Sequence, residues 1–99
     1  MKINYTVKEN LTIVGLEGRL DTVTAPELEQ ELCPKLNQVK ELIIDMKDLV
    51  YISSAGLRVI LSCQKKMNAT EGKLTIKNPN ELVMDIFEAT GFSNILTIE

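Results

Sequence analysis

Apolar residues along the chain repeat with two different periods. Ile3, Tyr5 and Val7 alternate with Asn4, Thr6 and Lys8, the period of a strand with one buried face. Residues 11–17 read the same way, with Leu11, Ile13 and the run Val14–Leu16 more deeply buried. Glu9-Asn10 between them fits a tight hairpin, because asparagine tolerates positive φ. Gly18-Arg19-Leu20-Asp21 is expected to leave the sheet. Leu28, Leu32 and Leu36 then recur at a spacing of four, the apolar face of a helix. Thr24 is its expected cap, Glu27 completes a capping box, and Pro26 is tolerated in the first turn. Pro34 should shorten or bend the helix near its end. Glu41–Met46 reads as a short, buried central strand.

After Asp48–Ile52, Leu57, Ile60, Leu61, Cys63 and Met67 mark a second helix over about 54–68, with Arg58, Ser62, Lys65 and Lys66 facing solvent. Lys73–Lys77 is a strand. Asn78-Pro79-Asn80-Glu81 predicts a third helix start, with Asn78 as cap and Pro79 at the first helical position. Leu82, Val83, Ile86 and Phe87 form its apolar face. Gly91 is placed to end it in the left-handed conformation, and residues 94–98 give a last short strand. The order β-β-α-β-α-β-α-β predicts a small, mixed, mostly parallel α/β sheet with an N-terminal antiparallel hairpin and helices packed on it. Ninety-nine residues suffice for a single domain spanning 1–99.

Composition narrows the function. The net charge of −3 gives no electrostatic footprint for nucleic acid or an anionic membrane. No apolar run approaches the roughly 18 residues of a membrane span, and Met1–Thr6 lacks the features of a signal peptide, so the expected location is cytoplasmic. Cys33 and Cys63 lie in apolar surroundings in different predicted helices and are expected to be reduced and structural. The chain contains no histidine. That removes a Ser-His-Asp or Cys-His nucleophile, a typical zinc site and histidine acid–base chemistry. No metal or cofactor is implied, and the expectation is a protein that is not an enzyme.

The chemistry that remains is at Tyr51-Ile52-Ser53-Ser54-Ala55-Gly56-Leu57. Two serines stand where a helix begins, beside unpaired N–H groups and the positive end of the helix dipole. The first helix carries Glu27 and Glu29 in its opening turns and the third carries Glu81, but the second carries no acid there and includes Gly56. One reading is that a serine caps the helix and Gly56 permits close packing on the sheet. The other is that the site is kept small and free of acid so that an anion can come and go. A phosphate on serine would add roughly −1.5 to −2 charges and three acceptor oxygens that the free N–H groups can bond, so the fold should survive. A partner docked on the same surface would instead meet a new charge.

Tyr51–Arg58 resembles the phosphorylation loop of the STAS domain, the family of bacterial anti-sigma factor antagonists. Gly18-Arg19-Leu20-Asp21 followed by Thr24-Ala25-Pro26 is similar to that family's segment before its first helix, and Asn78-Pro79 with Thr90-Gly91-Phe92 to its last helix and following turn. The resemblance spans nearly the whole chain. It implies a binding module that, unphosphorylated, sequesters an anti-sigma factor that is also a serine kinase, and so frees a sigma factor. Phosphorylation from ATP dissolves the complex, and a serine phosphatase resets it.

The acceptor falls on Ser54, with Ser53 the alternative, since Ser53 stands where the family commonly has an acid and Ala55 where it often has serine or threonine. Partner contacts are expected from Ser53, Ser54, Ala55, Gly56, Arg58 and Ser62, bordered by Asp21 and Thr22. Asp21 reads equally well as a turn-stabilising aspartate. The competing function is a constitutive scaffold of the same fold, rarely or never phosphorylated, within a larger signalling complex.

Overall fold

The computed structural model describes residues 1–99. Strands β1 (Lys2–Lys8) and β2 (Leu11–Leu20) form the hairpin, followed by helix α1 (Ala25–Leu32), β3 (Glu41–Ile52), α2 (Ser54–Ala69), β4 (Lys73–Lys77), α3 (Glu81–Thr90) and β5 (Thr97–Ile98). The strands lie in the sheet in chain order, β1-β2-β3-β4-β5. Only β1 and β2 are antiparallel; the other neighbours are parallel. β3 is therefore the central strand, as its apolar run predicts.

Sheet order equal to chain order has a consequence for layering. Each parallel step is a right-handed crossover taken in the same direction, so every helix arrives on the same face of the sheet. Register and burial agree. Tyr5, Val14, Ile44 and Ile76 are partners across the strands and point to one face, where Val14, Ile44 and Ile76 are fully buried. Their neighbours Ile13 and Ile43 point to the other face and stay partly exposed. The core is one cluster in which the first face of the sheet meets Leu28 and Leu32 of α1, Leu57, Ile60, Cys63 and Met67 of α2, and Val83 and Phe87 of α3.

Several local expectations are corrected. In the hairpin the positive φ belongs to Glu9, at 35°, and not to Asn10. β2 does not leave the sheet at Gly18; two register shifts, at Gly15/Glu17 and Gly18/Arg19, let it continue pairing with β3 to Leu20, and Gly18 takes φ 98° there. β3 likewise runs on through Leu49 to Ile52 rather than ending at Met46. The cap of α3 is Asn80, whose Oδ1 accepts from the Val83 N–H at 2.8 Å, while Asn78 sits in the preceding turn with φ 60°. Asn80 prevails because its Nδ2 also donates to the Leu49 carbonyl at 3.0 Å, tying the helix start to β3.

Other local expectations hold. α1 stops at Leu32 and Pro34 lies in a tight 3-10 segment, Cys33–Gln38. Gly91 ends α3 with φ 81°. The last strand, by contrast, is corrected from 94–98 to Thr97–Ile98, because Phe92–Asn94 winds into another 3-10 turn. Cys33 and Cys63 are both buried and unbridged. Burial, and then the neighbouring Cys33, push the Cys63 thiol pKa upward, as befits a buried structural thiol.

Candidate functional site

The parallel pairing of β2 and β3 brings their C-terminal ends together, and with them the turn before α1 and the start of α2. Ser53 follows the last residue of β3 and its N–H donates to the Leu20 carbonyl at the end of β2, at 2.8 Å. Its backbone is extended (φ −97°, ψ 175°), the usual conformation of an N-cap, and its Oγ accepts from the Gly56 N–H at 3.3 Å. The Ser53 carbonyl takes the first helical bond, from Leu57 N–H at 2.9 Å.

Ser54 is the first helical residue. It is exposed, and its hydroxyl makes no hydrogen bond within the chain. By helix geometry the N–H groups of Ser54 and Ala55 have no acceptor inside α2. The first turn of α2 carries no acid, whereas α1 has Glu27 and α3 has Glu81. The two serines are thus distinct: one is spent on the cap, the other is free.

Asp21 organises the facing turn. Its Oδ1 accepts from the N–H of Val23 at 3.0 Å and the N–H of Thr24 at 3.1 Å. Thr24 stands at the N-cap position of α1 as expected, but the expected side-chain capping bond is corrected: its hydroxyl accepts no N–H of α1. Its Oγ1 instead accepts from the Asp21 N–H and donates to the Arg19 carbonyl, each at 2.8 Å. The Thr24 N–H leads these bonds in holding the Asp21 carboxyl below the usual carboxylate range, helped by the Arg19 guanidinium 3.8 Å away. Arg19 also stacks over the Tyr51 ring, its Cζ 4.5 Å from the centroid.

Between α1 and α2 lies a groove of about 430 Å³ lined by Thr22, Ala25, Pro26, Glu29, Ala55, Arg58, Val59 and Ser62. It gathers four of the residues singled out in the sequence: Thr22, Ala55, Arg58 and Ser62. Asp21, Ser53 and Ser54 belong to the two chain segments at its end. Gly56, expected among the partner contacts, lies beneath this surface. It is buried against Leu20 and Ile52 and serves packing. Ala25, Pro26, Glu29 and Val59 were not legible as groove residues. They come together only because two helices meet in space, which no local pattern along the chain records.

The STAS domain model matches residues 2–99. The chain is 35% identical to the anti-sigma-B factor antagonist of Bacillus subtilis, over 99% of this chain and 92% of that protein. Among solved structures, an anti-sigma factor antagonist from Mycobacterium paratuberculosis superposes with a TM-score of 0.87 at 20% identity, covering 98% of this chain and 83% of that one. The Bacillus cell fate determinant SpoIIAA in its phosphorylated form gives a TM-score of 0.79 at 17% identity, over 99% and 91% of the two chains. With the helix-start serines, the facing Asp21 turn and a family match from end to end, the chain belongs to the STAS domain family.

Proposed function

We propose that this chain, as one domain over residues 1–99, is a cytoplasmic anti-sigma factor antagonist switched by phosphorylation at Ser54. Unphosphorylated, it binds an anti-sigma factor that is also a serine kinase and so frees a sigma factor. The kinase moves the γ-phosphoryl group of ATP to Ser54 Oγ, leaving ADP, and a serine phosphatase removes it. The chain is the substrate in this cycle and carries no catalysis of its own. The observation that carries the reading is an exposed, unbonded Ser54 hydroxyl at an acid-free helix start, in a relative of a protein named anti-sigma-B factor antagonist.

The chemistry of the two serines favours Ser54 over Ser53 as acceptor. Ser53 Oγ is occupied in capping, and modifying it would put a phosphate beside the Leu20 link. A phosphate on Ser54 meets the unpaired N–H groups and positive end of α2, so it is accommodated without rebuilding the fold. The phosphorylated form of SpoIIAA is an instance of this fold carrying phosphate. A partner seated over the same surface must desolvate or repel that charge, and leaves.

The test is incubation with a purified serine-kinase anti-sigma factor and ATP, followed by peptide mass spectrometry and binding measurements. One phosphate on Ser54 is expected. Ser54→Ala should bind whatever the ATP level, and Ser54→Asp should fold normally and bind at least about tenfold more weakly, about 1.4 kcal/mol. Phosphate on Ser53 would move the acceptor. Ser54→Asp binding as tightly as the parent chain would refute the charge switch. An active, bound kinase that adds nothing would favour the constitutive scaffold.

A further inference from the structure

Val23 is 83% exposed, more than any other large apolar side chain in the protein. An isolated exposed valine needs no explanation by itself. Its setting is what distinguishes this one. The backbone on which it stands is braced: its own N–H and the next are held by Asp21 Oδ1, and Thr24 Oγ1 bonds both the Asp21 N–H and the Arg19 carbonyl. The branched side chain is itself stiff about its first torsion. An apolar group is thus fixed in water before anything binds it, which lowers the ordering entropy a partner must overcome.

Val23 also lies next to the groove. Thr22 on one side and Ala25-Pro26 on the other line it, and Ala55 and Val59 complete its apolar surface. Glu29 from α1 and Arg58 from α2 both line it, and neither is ion-paired. Opposite charges left unpaired beside small apolar residues suit a protein surface that brings both an aliphatic contact and complementary charges.

We propose that Val23 is the apolar anchor of partner recognition. It inserts into an aliphatic pocket of the anti-sigma factor while Arg58 and Glu29 take that partner's acid and base. Val23 is then a specificity-determining residue distinct from the phosphate switch. The inference rests on the antagonist reading above.

The experiment is titration calorimetry of the full chain against the purified anti-sigma factor of its own organism, with Val23→Asp, Val23→Lys and Val23→Ile beside the parent. Both charged variants are expected to bind at least about tenfold more weakly and Val23→Ile within about threefold. Circular dichroism should show all of them folded with nearly unchanged melting, since the side chain is exposed. Charged variants within about twofold of a parent that does bind overturn the anchor and leave the antagonist reading standing. Weakening by only one sign of charge assigns the effect to electrostatics and also overturns it. If the parent itself fails to bind, both readings fall.

Discussion

Gly56 is a position where helix propensity and packing pull in opposite directions, so the sign of one substitution discriminates between them. Alanine is the better helix former by about 1 kcal/mol, and on that ground Gly56→Ala should stabilise α2. The tertiary contacts say otherwise. A Cβ at Gly56 would stand 2.7 Å from Leu20 Cγ, 2.9 Å from Ile52 Cγ1 and 2.9 Å from the Leu20 carbonyl oxygen. Leu20 and Ile52 are themselves 0% and 1% exposed, so neither side chain has room to withdraw. The third contact is backbone, and it is the same oxygen that receives the Ser53 N–H.

Overpacking costs about 1–3 kcal/mol, and the upper end applies where backbone must move. Setting about 3 kcal/mol of strain against about 1 kcal/mol of propensity leaves a net loss of about 2 kcal/mol. At about 4–8 °C per kcal/mol for a domain of this length, the melting temperature should fall by roughly 8–16 °C. Thermal and urea unfolding followed by far-ultraviolet circular dichroism measure it, and faster hydrogen exchange at the Ser53 amide should accompany the loss. A melting temperature equal to or above that of the parent would refute the packing argument.

Ser53→Ala removes the cap bond to Gly56 N–H and should cost about 1 kcal/mol, whereas Ser53→Asp keeps an acceptor and adds favourable charge at the helix start. In urea titrations Ser53→Asp should be the more stable of the two, and the reverse order would rule out the capping role. For Asp21 the native carboxyl is held below its ordinary value by the turn's hydrogen bonds, led by Thr24 N–H. The stability this contributes is whole above the unfolded-state value of about 3.9 and is lost as pH falls through the lower native one. The advantage of the parent over Asp21→Asn should therefore be constant near neutrality and shrink below about pH 4. An advantage independent of pH between about 3 and 7 would contradict it.

Much of the site was legible because it is local. The acid-free start of α2 and the adjacent serines are properties of a few consecutive residues. Their backbone requirements are met within a turn of chain whatever surrounds them. Element order was legible for a related reason: periods of two and of about 3.6 are written into any chain that must bury one face of each element.

Capping proved harder to read. Thr24 has the position for a cap, but its hydroxyl is spent on the Asp21 N–H and the Arg19 carbonyl, while Asn78 has the right side chain and Asn80 the right position. That choice depends on where β2 and β3 end, and both strands ran farther than their apolar runs suggested.

Taken alone, the sequence determined the α/β order, the central place of β3 and the presence of hydroxyls at a helix start, since each follows from short-range geometry and hydrophobic periodicity. Tertiary structure alone decided that Ser53 is consumed by the cap while Ser54 is free, that Gly56 is buried, and that Thr22, Ala55, Arg58 and Ser62 share a groove with α1. Those outcomes depend on the register of β2 against β3 and the approach of two helices, and such long-range contacts leave no periodic mark on the chain.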